Sequence, residues 1–304
     1  MQLAEAKQSN LTVVAVMVLY RCALAGSASF SSLMNVRESG ICDLKIALFD
    51  NSPEHPAEED LAFIRENSGW ISYTHFPENA SLAKIYNLGI RLGREGDFML
   101  LLDQDSAFDT GFFSALLQAQ ATHPEIDLFL PLVKYERQIV SPGKWNGYKG
   151  RYIKSISAGP VLSKGMTAVA SGMFIRYRYL LADFPGFDER FQLYGIDTNF
   201  MQHYASERRF FFLLPYQLDH ELALYAEEAA ERKIFRFQEF AKGSLLLTGK
   251  NGLLKWKCFA FLLYKALRYS IAYRNPGFFS GLKFFFQSST VKRSNFGAAF
   301  PTNN

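Results

Sequence analysis

Cysteine is scarce: Cys22, Cys42 and Cys258 stand far apart in 304 residues, with no paired spacing. That excludes a disulfide framework and a cysteine-based zinc site, and it fits a reducing compartment. Long apolar runs are missing as well. The run inside Met1–Cys22 has neither the basic flank nor the small-residue cleavage site of a signal peptide, so it reads as a buried strand. The greasiest stretch, CFAFLLYKALRYSIAY at 258–273, is interrupted by Lys265 and Arg268. It falls short of the roughly 20 apolar residues of a bilayer span. Acid disappears after Glu239: from 243 onward there are nine Lys or Arg and no Asp or Glu, against 24 basic and 29 acidic residues before that point. A mildly acidic body therefore carries a basic tail.

What is present is enough hydrophobic residue, 49% of the chain, to build a sizeable core. The first half alternates apolar runs with amphipathic stretches, which predicts strand-helix units and a mainly parallel sheet. Strands are expected at 12–19, 44–50, 70–76, 98–103 and 127–133, and helices near 25–38, 57–67, 80–93 and 110–122. Asp109, and Asn79 or Ser81, are candidate caps. Beyond 140 comes a Gly/Pro/Lys/Tyr-rich insert, SPGKWNGYKGRYIKSISAGP (141–160), which reads as a loop covering substrate. A strand at 167–177, a helix at about 198–209 and a strand at 210–215 follow. The division expected is a disordered tail at 1–10, an α/β domain at 11–240 and a helical tail at 241–304.

That tail interleaves bulky apolar and cationic residues, as in LLKWKCFAFLLYKALRY and FFSGLKFFFQ. Such helices suit the headgroup region of an anionic membrane. Packing of the tail on the domain is the alternative. No nucleic-acid-binding motif accompanies the charge, so nucleic acid is not an expected partner.

The chemistry centres on MLLLDQDSAFD (99–109), an apolar strand ending in Asp103 and Asp105. In open α/β sheets ligands sit at the carboxyl ends of strands. Two carboxylates there suit Mg2+ or Mn2+, which can clamp a diphosphate leaving group. An Asp-x-Asp at a strand end is equally a capping or solvated turn, Asp50-Asn51-Ser52-Pro53 is a good turn sequence, and Asp197-Thr198 reads as a helix N-cap. A haloacid-dehalogenase phosphatase also uses an Asp-x-Asp, but on its first strand, whereas about 100 residues precede this one. A non-catalytic membrane adaptor is the third reading.

Further segments fall in order around this motif, and over about residues 12–240 the sequence resembles glycosyltransferase family 2, in particular the rhamnosyltransferase-like branch of bacterial polysaccharide and lipopolysaccharide assembly. VVAVMVLYR resembles the opening strand, with Tyr20 in place and Arg21 where Asn is usual. IALFDNSP resembles the element whose Asp50 contacts the nucleotide base. ENASLAKIYNLGI is similar to the family's Asn-Gly-x-Ala-x-Ala-x-Asn-x-Gly helix, keeping Asn79, Ala83, Asn87 and Gly89. DQDS matches the metal motif, with Asp103 nearer the ribose and Asp105 on the metal. ASGMFIRYRYL resembles the acceptor-side Ser-Gly segment, whose Ser171 and Gly172 join the nucleotide-sugar-binding residues. FDERFQLYGIDTNF resembles the stretch with the catalytic base, here Asp197, and LDHELA the element that sets His220 by the metal or diphosphate.

The resemblance implies a GT-A fold, a Rossmann-like nucleotide-sugar domain with a mixed, mainly parallel sheet. It implies Mg2+ or Mn2+ as cofactor, a dTDP- or UDP-sugar donor with a lean to rhamnose, and inversion by single displacement. It also implies a glycan or lipid-linked oligosaccharide acceptor, and a cytoplasmic protein peripheral on the inner face of the cell membrane.

Overall fold

The computed structural model describes residues 11–135, 138–219 and 229–286. The expected tail at 1–10 and His220 lie outside them. The strands are β1 Thr12–Leu19, β2 Asp43–Asp50, β3 Ile71–His75, β4 Phe98–Asp103, β5 Leu128–Tyr135, β6 Gln138–Ser141, β7 Gly143–Trp145, β8 Gly150–Arg151, β9 Gly159–Leu162, β10 Met166–Thr167, β11 Phe174–Arg176 and β12 Phe210–Asp219. The helices are α1 Ala28–Ser39, α2 Glu58–Glu66, α3 Leu82–Ile90, α4 Thr110–Thr122, α5 Tyr177–Ala182, α6 Ile196–Glu207, α7 Ala230–Leu247 and α8 Gly252–Ala272.

Among the described residues nine strands form one sheet in the order β3-β2-β1-β4-β11-β5-β12-β9, with β6 on β5. The pairs β3·β2, β2·β1, β1·β4 and β5·β12 are parallel, while β11 runs antiparallel to both β4 and β5. The result is the mixed, mainly parallel sheet expected. β1 shows why it forms: its β-branched residues are buried on both faces, as a central parallel strand requires. Val13, Ala15 and Met17 join a core under α1 and α4, and Val14, Val16 and Val18 join a second core under α3, α5 and α6. β3, with alternating burial, is an edge.

Two expectations change. The single strand expected at 167–177 is split into β10 and β11, because Gly172 turns the chain with φ 89° and donates its N–H to Leu101 O at 2.8 Å. A Cβ there would also lie 2.8 Å from Pro131. The insert at 141–160 is not a bare loop: β7 and β8 pair with each other, and β7 pairs with β10, in a small three-stranded sheet.

The tail is a third apolar cluster built from α7, α8 and a 3-10 segment at Pro276–Phe285, around Phe237, Cys258, Leu262, Ala266 and Phe278. α7 runs unbroken through residues 240 and 241, and its Leu246 and Leu247 pack on the core of the body. The tail also touches the insert, with the Tyr148 and Phe261 rings 6.3 Å apart.

Candidate functional site

The site grows from three strand exits that end in register. Leu19 at the end of β1 pairs with Asp50 of β2, and Val18 pairs with Asp103 of β4. Hydrogen bonds tie these exits together: Tyr20 N–H donates to Gln104 Oε1 at 2.8 Å, Arg21 N–H to Ser52 Oγ at 2.7 Å and Asn51 N–H to Leu19 O at 2.8 Å. Arg21 has φ 51°. Asn tolerates this left-handed region best after glycine, which gives a physical reason for the Asn that the resembled family uses there. Asn79 sits at φ 55°, and the cap of α3 is Ser81, whose Oγ accepts from Lys84 N–H at 3.2 Å.

A pocket of roughly 400 Å³ opens at the exits of β1 and β2, lined by Arg21, Cys22, Asp50, Ser52, His55 and Asp60 among others. Asp50 is buried in its wall. One of its carboxylate oxygens accepts from Ser52 N–H at 2.8 Å and the other from Tyr73 OH at 3.0 Å, so it holds the turn as well as lining the pocket. The Cys22 thiol is pushed up by burial and then by the charges of Asp60, Asp105 and Asp50. Asp50 and Asp60 line the opening, and Asp105 is near enough for its charge to act there. Tyr20 is exposed beside it, with the Arg21 guanidinium 5.5 Å from the centre of its ring.

The Asp103–Ser106 loop is fixed by buried hydroxyls. Ser29 Oγ donates to Asp103 O and accepts from Ser106 N–H at 2.9 Å. Ser171 Oγ accepts from Asp103 N–H at 3.1 Å and lies 2.9 Å from Ser106 Oγ. Ser27 Oγ donates to Gln104 O at 2.7 Å. Ser171 thus acts on the loop from beneath, and Gly172 through its backbone. Asp103 is half-buried and Asp105 exposed.

The other candidate acid lies on α6. Gly195, at φ 92°, is its N-cap, which leaves Asp197 inside the first turn instead of at the cap. Its Oδ1 accepts from Thr198 N–H at 2.7 Å. Burial pushes the Asp197 carboxyl up to about 6, the Asp103 charge adds to the rise, and the Thr198 bonds oppose it. Tyr86 of α3 lies fully buried near both acids, its hydroxyl pushed up by burial and then by the charges of Asp103 and Asp197. Asp103 and Asp197 therefore lie close enough for the charge of one to act on the other. Among the described residues no arginine or lysine is ion-paired to Asp197.

The loop leading to Asp197 is pinned by Asn87. Its Nδ2 donates to Phe187 O at 2.9 Å and to Glu189 Oε1 at 3.2 Å, and its Oδ1 accepts from Phe187 N–H at 2.7 Å. Asp188 pairs with Arg190. Sequence reasoning named Asn87 only as a kept position of the family helix and gave it no role, and it missed Ser27 and Ser29 of the serine cradle. The available signal was Ser29 and Ser32 standing at apolar spacing on α1, where hydroxyls need buried partners.

Among the described residues no group of three or more His, Cys, Asp or Glu could by itself hold a metal ion. Asp103 and Asp105 nonetheless fit a hard divalent cation, since Mg2+ usually keeps several waters and takes one or two carboxylates plus substrate phosphates.

Compared with solved structures, the chain matches GalNAc-T7 crystallised with UDP, GalNAc and Mn2+ over 94% of its own length and 57% of that chain, at TM-score 0.57 and 12% identity. It matches residues 1–349 of S. aureus TarS in complex with UDP-GlcNAc over 91% of its length and 81% of that chain, at TM-score 0.53 and 13% identity. It thus spans little more than half of the GalNAc-T7 chain. No family model matches the sequence, and no curated protein does. At these identities the likeness is one of fold, and the fold is that of GT-A glycosyltransferases.

Proposed function

We propose that this protein is an inverting glycosyltransferase that moves a sugar from a dTDP- or UDP-sugar to a hydroxyl of a glycan or lipid-linked oligosaccharide. The observation that carries the reading is that, in a GT-A fold, Asp103 at the end of β4 lies near enough to Asp197 for its charge to help push that carboxyl up to about 6. A sugar hydroxyl is a weak nucleophile. Asp197, ionised at neutral pH yet more basic than an ordinary carboxylate, accepts the hydroxyl proton as the acceptor oxygen bonds to the anomeric carbon. The bond from that carbon to the diphosphate oxygen breaks on the opposite side, and the nucleoside diphosphate leaves. The pocket beside Tyr20 and Asp50 receives the nucleotide. Asp105, with Asp103 and His220, would hold Mg2+ or Mn2+; when bound, the ion supplies charge neutralisation to the departing diphosphate. GalNAc-T7 was crystallised with Mn2+ and UDP, and TarS with UDP-GlcNAc, which supports a metal and a uridine nucleotide here.

The test is binding of a panel of UDP- and dTDP-sugars, dTDP-rhamnose included, with and without Mn2+, read by calorimetry. At least one nucleotide-sugar should bind, more tightly with metal, and Asp105→Asn should weaken it while Asp197→Asn leaves it intact. Failure of every donor to bind would overturn the proposal.

A further inference from the structure

The tail has two apolar faces, and packing accounts for one. Cys258, Leu262 and Ala266 of α8 are buried against α7 and the 3-10 segment. On the other side Leu253, Trp256, Leu263, Tyr264, Leu267 and Ile271 remain between 41% and 70% exposed. At about 100° per residue these six side chains and the exposed Ala260 fall on one arc about 100° wide, along a helix of about 30 Å. Lys257 and Arg268, both exposed, follow on the edge of that arc beyond Tyr264. At the other end of the helix the patch continues through Trp256 to Phe285, 4.6 Å between rings, and on to the exposed Phe286.

A soluble monomer rarely shows a contiguous apolar strip of this kind without a partner. Its composition selects the partner. Trp and Tyr suit the boundary between headgroups and acyl chains, a cationic edge suits anionic headgroups, and the sequence around the strip carries no acid after Glu239. A protein partner would meet a strip with no carboxylate to set its register. No helix among the described residues is long and apolar enough to cross a membrane. We infer that α8 lies flat on an anionic phospholipid surface, its Leu253–Ile271 strip in the interface and Lys257 and Arg268 at the phosphates.

The docked face is coupled to the cleft by direct packing. Tyr148 of the insert meets Phe261 of α8, β7 carries the insert to β10, and Thr167 of β10 hydrogen-bonds Thr198, the neighbour of Asp197, at 2.8 Å. α8 therefore holds the cleft at a fixed attitude to the lipid, as transfer to a lipid-linked acceptor needs. That last step rests on the transferase reading; docking does not.

The experiment is flotation of the full chain with vesicles of phosphatidylcholine alone or with 30% phosphatidylglycerol, chosen here at about that fraction to give a clearly negative surface, together with tryptophan emission. The chain should float with the anionic vesicles, and its emission should shift to the blue and be quenched by brominated acyl chains. Trp256→Phe should remove the shift. Trp256→Ser with Leu267→Ser should lower binding at least tenfold, and Lys257→Glu with Arg268→Glu should abolish the preference for anionic lipid. Because all four positions are exposed, circular dichroism should not change. The inference falls if the chain stays with the aqueous phase, if the double variants float as the parent does, or if Trp256 is already shielded from iodide without vesicles, which would mean that the chain itself or a second copy covers the strip. Sugar transfer is not read, so this outcome is separate from that of the donor panel.

Discussion

The two ends of α6 meet acids in opposite circumstances. At its C-terminal end Arg208 donates to Asp127, an acid 2% exposed, at 2.7 Å, and also pairs with Asp183, while Arg178 takes the other oxygen of Asp127. At the N-terminal end the Asp197 carboxylate is held by hydrogen bonds from Thr198 and from its own backbone, with no cation paired to it among the described residues. Both acids have left water. Only the first is compensated by opposite charge, and the cost left at the second keeps its carboxyl basic, as the proposed role of proton acceptor requires. One helix thus has a fastened end and, on the proposed reading, a working end.

The largest expected effect separates them by activity. Asp197→Asn should lower kcat by roughly 10²–10⁴ with donor affinity kept, since the base is lost and the shape is not; steady-state transfer with the donor found by the panel measures it. In the parent the rate should fall as pH drops through about 6, where Asp197 takes up its proton, and the Asn variant should lack that limb. Next comes Asp127→Ala. It leaves Arg178 and Arg208 without their shared acceptor and should cost about 2–4 kcal/mol in urea unfolding, the lower part of that range reflecting the partial exposure of both arginines. If Asp127→Ala reduced kcat more than stability, the division between the two ends would fail.

The third effect inverts the usual expectation for an acid. Asp197 has a folded pKa raised from 3.8 to about 6. The folded state therefore holds more protons between those values, and stability present below about 4 is lost as pH rises through about 6. At pH 7–8 Asp197→Asn should be as stable as the parent or more so, by up to about 3 kcal/mol, and the gap should close below pH 4. Thermal unfolding at pH 4 and pH 7.5 measures this.

How much of this was legible in the sequence differs between the halves of the sheet. β1 to β4 pair in parallel with helices between them, so each strand is a local apolar run, and Thr12–Leu19 and Phe98–Asp103 stand where the pattern puts them. β11 enters the sheet between β4 and β5 from far along the chain. Its three residues follow a Gly172 turn that period alone reads as continuous strand. Asp50 and Asp103 were legible because they end apolar runs and Asp105 because it stands two residues on, whereas Asp197 was legible only through the family resemblance. The bonds that hold them were not: Ser29 and Asp103 are 74 residues apart and Asn87 and Phe187 are 100, so only the fold brings them together. The division at 240/241 was drawn where acid runs out, but charge does not end a helix, and α7 continues to Leu247.

That continuity yields the smallest effect. A Cβ at Gly243 would lie 2.2 Å from Tyr194 O, a backbone atom that cannot rotate aside, and Leu247 lies against Gly195. In a free helix Gly→Ala gains about 1 kcal/mol. Here α7 would have to lift from the turn that caps α6, so Gly243→Ala should instead lose about 1–2 kcal/mol. Because Tyr194 and Gly195 set the start of the helix bearing Asp197, the loss should be accompanied by a lower kcat, which a purely peripheral tail would not produce. By the same packing, a chain cut at 242 loses Gly243–Leu247 and with them part of the body's core, so its failure to float would not isolate the membrane strip. If Gly243→Ala proved more stable than the parent with kcat unchanged, α7 would not brace the working end of α6, and body and tail would be separable after all.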